Sequence, residues 1–489
     1  MIIAPLGELI YVGRTIRSEG EECQGAEIVL PHLENPIHLT LRTLVAYKVR
    51  STMLEKLLYM ETFGCQMNVN DSERIVTMLA DLGYAPTNDP AASDMILLNT
   101  CSVRGGAEEK VYRRLANLRI YKRDGKKQII AVGGCVAQQE GEELLRKLPY
   151  LDLVIGTHNL HLLPEMVRCA ERGERRSETT FIDNDQRLDL FPSIKGESRL
   201  SRFVTVMQGC DNFCSYCIVP YVRGREISRR SEDILNEVRQ LADDGVREVI
   251  LLGQNVNSYG LKTDSEPTFA ELIRQVAEID GIYRIRFTTS HPKDMSDELI
   301  ACFGDIAKLS GQIHLPAQSG SDAVLKLMGR GYTRGSYLDK VHKLKAIRPD
   351  IVITGDIIVG FPGETEEDFE QTLSLMEEVR YIDLFSFVYS PRPGTKAAEL
   401  SDDLPRAVKM ARLDRLMELQ RRHTGEISQA YPGSRMSVLV EGEGKLPGQV
   451  SGKGEIGRIV NFIGDSSLIG SFVDVKIIKA YPNSFLGEL

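Results

Sequence analysis

The sequence predicts a multidomain α/β protein: an N-terminal open parallel α/β sheet, a central incomplete (β/α)6 barrel and a C-terminal small all-β barrel. Two observations predict it. Short apolar runs alternate with helical stretches from about residue 56 to 165 and again from about 198 to 428, and residues 431–489 then turn glycine-rich with short alternating strands. A length of 489 residues suits two to four domains. Composition adds exclusions. With 42% hydrophobic and 26% charged residues the chain is neither disordered nor collagen-like, and a net charge of −9 argues against holding nucleic acid by bulk charge alone. No stretch nears the roughly 18 apolar residues of a membrane span, so no membrane association is expected. Nine cysteines, an odd number, with no basic-then-apolar leader, point to a reducing, cytoplasmic setting in which clustered thiols bind metal.

Residues 1–52 show no sustained period and read as a poorly ordered extension, with Met53 a candidate true start. The N-terminal domain spans 56–171. Its first strand ends near Phe63, a helix runs from Asn70 (N-cap, with Glu73 at N3) to about Leu82, and Met95–Leu98 is a buried strand. A charged helix over 104–123, a strand over 129–132, a helix over 138–147 and a strand over 151–155 follow. Charge-rich residues 172–195 read as a linker. The central domain, 196–428, offers strands at 202–207, 248–252, 283–288, 312–315, 351–358 and 383–389, with helices such as 231–243 and 364–379 between them. In the last domain the strands are Met436–Val440, Gly457–Phe462 and Phe472–Ile478.

Two sets of cysteines carry the chemistry. Cys210, Cys214 and Cys217 sit at spacings of four and three in a loop after the strand that ends near Met207. Thiolates are soft ligands for iron–sulfur clusters and zinc. Three of them fill three sites of a four-iron cluster and leave one iron open; a structural zinc would need a fourth ligand from afar. Cys65, Cys101 and Cys135 each lie just past the carboxyl end of a strand, and in an open parallel sheet those ends share one edge. A second three-thiolate site is the expectation, with Gly64, Gly133 and Gly134 giving room for close approach. Cys169 and Cys302 read as core filler, and Cys23 falls in the N-terminal segment.

The Cys-x3-Cys-x2-Cys loop, with Tyr216 before its last cysteine, resembles the radical S-adenosylmethionine (SAM) superfamily. From about 56 to 489 the chain resembles the methylthiotransferase family within it. The resemblance rests on Gly64-Cys65-Gln66-Met67-Asn68 with Asp71-Ser72-Glu73, Met207-Gln208-Gly209-Cys210 and Val219-Pro220-Tyr221-Val222-Arg223-Gly224. His314-Leu315-Pro316 with Gln318-Ser319-Gly320-Ser321, and Tyr389-Ser390-Pro391-Arg392-Pro393-Gly394-Thr395, extend it. Ala317 departs from the larger apolar residue expected there. Residues 431–489 resemble a TRAM module, an RNA-binding barrel, although their six basic and six acidic residues leave them neutral.

The resemblance implies two [4Fe-4S] clusters. The one on Cys210, Cys214 and Cys217 binds SAM and cleaves it to a 5′-deoxyadenosyl radical. The auxiliary one on Cys65, Cys101 and Cys135 carries sulfur methylated by a second SAM. It further implies methylthiolation at C2 of N6-isopentenyladenosine at position 37 of tRNA. A flavodoxin or ferredoxin would be the electron donor and a monomer the working unit. A purine C2–H has no acid–base handle, so a radical route is chemically apt and no separate acid–base residue is expected. Barrel chemistry sits at strand ends, where Gln254, Asn255, Ser290, Gln318, Asp356 and Arg392, with Tyr216, are candidates for SAM contacts or simply cap turns. Arg223 and Arg225 are candidates for holding RNA phosphate or for pairing with nearby acids. Alternative substrates are threonylcarbamoyladenosine in tRNA and a ribosomal-protein aspartate. A non-catalytic iron–sulfur or zinc protein that binds RNA is the reading outside catalysis.

Overall fold

The computed structural model describes residues 56–102, 105–125, 127–182 and 199–489. The expectations for residues 1–52 and for most of the linker lie outside them. Among the described residues no helix is long and apolar enough to cross a membrane.

The N-terminal sheet has six strands: β1 (Lys56–Thr62), β2 (Tyr84–Thr87), β3 (Met95–Thr100), β4 (Ile129–Gly134), β5 (Leu153–Ile155) and β6 (Arg176–Glu178). They are all parallel, in the order β2-β1-β3-β4-β5-β6. Every residue of β3 and β4 is buried, because helices cover both faces. Alternate side chains feed two cores. Leu97, Ala131 and Leu153 face one, and Ile96, Leu98, Ile130 and Val132 face the other.

Several boundaries differ from expectation. Helix α1 (Gln66–Ala80) starts five residues before the expected one, with Cys65 in the N-cap position. Asn70 is therefore no cap. It lies buried inside α1, where its Oδ1 accepts a hydrogen bond from Thr205 of the central domain at 2.9 Å. The charged helix is α2 (Gly105–Leu118), which tightens into a 3-10 segment over Arg119–Gly125. The helix expected over 138–147 is two, α3 (Cys135–Glu140) and α4 (Glu142–Lys147), broken at Gly141. After α5 (Leu163–Glu171), three residues of the expected linker form β6. Main-chain pairing with β5 makes Arg176-Ser177-Glu178 a strand, and no apolar pattern betrays it.

The central domain keeps its six expected strands, β7 (Ser201–Thr205), β10 (Glu248–Leu252), β11 (Arg284–Phe287), β12 (Gln312–His314), β13 (Val352–Val359) and β14 (Asp383–Val388), and adds a short β8 (Met207–Gln208) paired antiparallel with β9 (Ile227–Ser228). Two parallel three-stranded sheets, β11-β10-β7 and β12-β13-β14, share one apolar core. An isolated bridge from Ile285 to Leu309, just before β12, links them. The expectation of an incomplete (β/α)6 barrel holds.

The C-terminal domain is a closed barrel, β15-β16-β17-β19-β18, built from Arg435–Glu443, Gln449–Gly454, Ile459–Ile463, Phe472–Ala480 and Ser484–Glu488 in chain order. The sequence showed three of these five strands. β16 reads Gln-Val-Ser-Gly-Lys-Gly, without alternation, because a Cβ at Gly452 would come within 2.1 Å of the Leu439 carbonyl oxygen.

This small barrel docks on the amino ends of the central strands. Arg284 and Arg286 donate to the Lys453 and Gly454 carbonyls at 2.9 and 2.7 Å, and both hold the buried Glu248. Burial opposes the Glu248 charge, but Arg286 and Arg284 outweigh it and hold the carboxyl down at about 2. A depressed carboxyl stabilises the fold above the ordinary glutamate range, near ~4.3, and loses that stabilisation as pH falls toward 2. Glu248→Gln is expected to cost about 3 kcal/mol at neutral pH by leaving two buried guanidiniums unpaired. Denaturant melts from pH 7 to pH 3 should show the difference from wild type shrinking on acidification.

Candidate double cysteine site

Three adjacent strands deliver the first set. Cys65 follows β1 and opens α1, Cys101 directly follows β3, and Cys135 directly follows β4. The register pairs Thr100 with Gly134, so Cys101 and Cys135 come next on neighbouring strands. Gly64, at φ +112°, makes the approach possible: a Cβ there would lie 2.4 Å from the Cys101 Cβ. Asn68 and Asn99 tie the strand ends together, through Asn68 Nδ2 to the Thr100 carbonyl and Asn99 Nδ2 to the Asn68 carbonyl, both at 2.8 Å. Cys101 and Cys135 are buried and Cys65 half-buried. Burial pushes the Cys135 thiol up; Arg223 opposes this and Cys65 adds to it, so Cys135, Cys65 and Arg223 share one electrostatic neighbourhood.

The second set hangs on the β8–β9 pairing, which pins both ends of the loop. The Cys210 amide donates to the Gly224 carbonyl and the Cys217 amide to the Cys214 carbonyl. Burial, then the neighbouring thiols, push Cys210 up to about 11 and Cys217 up to about 12. The two sets adjoin. Ile218, next to Cys217, and Val222 pack on Cys135, and α6 (Val219–Arg223) packs on α3.

Among the described residues no three His, Cys, Asp or Glu side chains converge to hold a single metal ion. Three soft thiol donors in each set suit the chemistry of an iron–sulfur group.

The other candidates distribute as follows. Tyr216 stands edge-on to Phe361 at 6.4 Å, and the Gly209 amide donates to Gln254 Oε1. Asn255 Nδ2 donates to Asp294 at 2.7 Å, while its Oδ1, the Ser290 hydroxyl oxygen and His291 Nε2 are buried with no hydrogen-bond partner among the described residues. Those orphaned atoms, on the loops after β10 and β11, suit a polar ligand. Asp356 lies 3.4 Å from His314 Nε2, and Gln318, at φ +69°, bridges by main chain to Ile357. Arg392 lies half-buried on the loop after β14.

Arg223 requires a correction. It is 2% exposed, ion-paired to Asp71 at 2.7 Å and bonded to Asn68 Oδ1 at 3.1 Å, so RNA phosphate cannot reach it. Arg225 is exposed and pairs with Asp211. One residue escaped sequence reasoning altogether. Buried Arg330 reaches the Cys214 sulfur at 3.3 Å, the Tyr216 hydroxyl at 3.4 Å and the Pro316 carbonyl at 3.3 Å. Its flanking glycines, Gly329 and Gly331, were the available signal.

Residues 57–156 match the Uncharacterized protein family UPF0004, residues 204–376 the Radical SAM superfamily and residues 429–489 the TRAM domain. The tRNA-2-methylthio-N(6)-dimethylallyladenosine synthase of Pelobacter propionicus is 72% identical over 437 residues, covering 89% of this chain and 99% of that protein. Its namesakes from Trichlorobacter lovleyi and Geobacter sulfurreducens are each 64% identical, covering 89% of this chain and 100% and 97% of theirs. The chain belongs to this synthase family. A radical SAM methyltransferase of Kitasatospora setae, TsrM, solved with cobalamin and a [4Fe-4S] cluster, shares the fold. It has a TM-score of 0.53 and 14% identity, over 81% of this chain and 77% of that one. The segments 57–156 and 204–376 each carry one of the three-cysteine sets, and Cys135 of the first packs with Ile218 and Val222 of the second.

Proposed function

We infer that the protein is a radical SAM methylthiotransferase that adds a methylthio group to C2 of N6-isopentenyladenosine in tRNA. Near-full-length identity of 72% to a synthase of that name carries the reading. Threonylcarbamoyladenosine and a ribosomal-protein aspartate are not favoured, since the relatives share one substrate name.

Cys210, Cys214 and Cys217 would hold the SAM-binding [4Fe-4S] cluster, and Cys65, Cys101 and Cys135 the auxiliary one. When bound, these groups and two SAM molecules supply a 5′-deoxyadenosyl radical and a methylated sulfur. The chain's own task is placement. Ile218 and Val222, packed on Cys135, keep the two thiol sets adjacent, so both reactants meet one adenine. Arg330 donates to Cys214 and fixes Tyr216 beside it. His291, held neutral by burial and by Arg330, offers an uncharged polar face with Asn255 and Ser290. Buried apolar neighbours such as Phe361 and Ala317 keep water from a reactive carbon radical. The electron donor would be a flavodoxin or ferredoxin, the working unit a monomer and the location cytoplasmic, alongside tRNA.

An anaerobic assay with reconstituted protein, SAM, reductant and isopentenylated tRNA, read by nucleoside mass spectrometry, tests the reading. The 2-methylthio nucleoside is the expected product. SAM cleavage without it would overturn the substrate assignment and keep the radical chemistry.

A further inference from the structure

The cysteine loop carries two aromatic rings that the core does not use. Phe213, between ligand candidates Cys210 and Cys214, is 37% exposed, and Tyr221, on α6, is 41% exposed. They meet edge to face with centroids 6.0 Å apart. Phe213 holds φ at +44°, a costly conformation for a bulky residue, and its ring points outward under the Arg225 guanidinium at 5.6 Å. Single exposed aromatics are ordinary on protein surfaces. Two that touch each other, on the loop that bears one thiol set and the helix that covers the other, are not.

The charges around them are sorted. Arg225, Lys262 and Lys293 expose 64%, 48% and 46% of their side chains, whereas the acids beneath, Asp211, Glu226 and Asp294, expose 15%, 4% and 11%. Cations therefore face outward, where a polyanion could meet them.

We propose that Phe213 and Tyr221 form a stacking platform for an unpaired nucleobase next to the target adenine, with Arg225, Lys262 and Lys293 meeting the adjoining phosphates. The proposal rests on tRNA being the substrate. Single-stranded RNA is recognised by this combination of aromatic faces and a cationic margin, and stacking suits any base because each has a π-face. Taking the target base out of its stack requires somewhere for its neighbour to rest, and the platform lies on the loop of one thiol set and the helix packed on the other.

A labelled RNA hairpin containing isopentenyladenosine, intact or with an abasic nucleotide beside the target, gives the test by fluorescence anisotropy. The abasic change is expected to weaken binding to the wild-type holoprotein about tenfold. Against Tyr221→Leu it should weaken binding less than about twofold, because the partner ring is already gone. Phe213→Leu gives a second reading of the same coupling, and iron per chain checks that both variants keep their cysteine sites. Equal abasic losses in wild type and both variants overturn the platform. Such a result, with 2-methylthio product still formed on the intact hairpin, would leave the assigned activity standing.

Discussion

Cys214→Ala abolishes both SAM cleavage and the methylthio product, whereas Cys101→Ala keeps SAM cleavage and loses only the product: that split is the expected result. Each variant removes one sulfur of a three-thiol set. Neither is expected to unfold its domain, since alanine fits where a small buried cysteine packs. Cys214 lies in the loop pinned by β8 and β9, against Arg330, on the side proposed to bind SAM. Cys101 lies at the end of β3, against Gly64, on the side proposed to donate sulfur. The two functions are thus carried by different domains and should fail separately. Iron analysis should find each variant depleted in one cluster. Loss of SAM cleavage in both variants would mean that the two sets do not divide the work.

Arg223→Leu is expected to destabilise the protein by about 3–5 kcal/mol. The Asp71–Arg223 pair is 3% exposed on each side and crosses from the central domain into the N-terminal one. Burial opposes the Arg223 charge, and Asp71 with the Cys135 and Cys65 thiols keeps it protonated. Leucine would leave Asp71 charged, buried and unpaired. Arg223→Lys should recover part of the loss, since it restores the charge beside Asp71 without the guanidinium's second contact to Asn68. Urea melts of the three proteins measure this. A change below about 1 kcal/mol in the leucine variant would show the pair to be dispensable.

The same residue marks where sequence reading reaches its limit. Arg223, Arg225, Arg229 and Arg230 look alike in sequence, a basic cluster beside a cysteine loop. Folding buries Arg223 against Asp71, sets Arg229 beside Glu237 and leaves Arg225 and Arg230 at the surface. Charge patterning records neither burial nor a partner some 150 residues away. The cysteines were legible because thiolate spacing is local in one set, and strand ends share an edge in the other. The central strands were legible because apolar runs alternate with helices of a different period. Strands of two or three residues, β6, β8 and β9, carry no period to read, and β16 gives up its alternation to glycine. Asn70 looked like a helix cap because the residue type suits one, while its actual task is a contact with Thr205.

The docking of the small β-barrel on Arg284 and Arg286 sets a ruler. Those side chains lie on the amino ends of the central strands, and the cysteine loop follows the carboxyl end of β7 and β8. Five-residue β10 alone separates these ends by about 17 Å, at roughly 3.3 Å per residue. On the proposed reading, a polynucleotide held by the terminal barrel with its adenine between the thiol sets would have to run the height of the central domain. A lone nucleoside would then be held at one end only, and substrate length would select alongside the identity of the base.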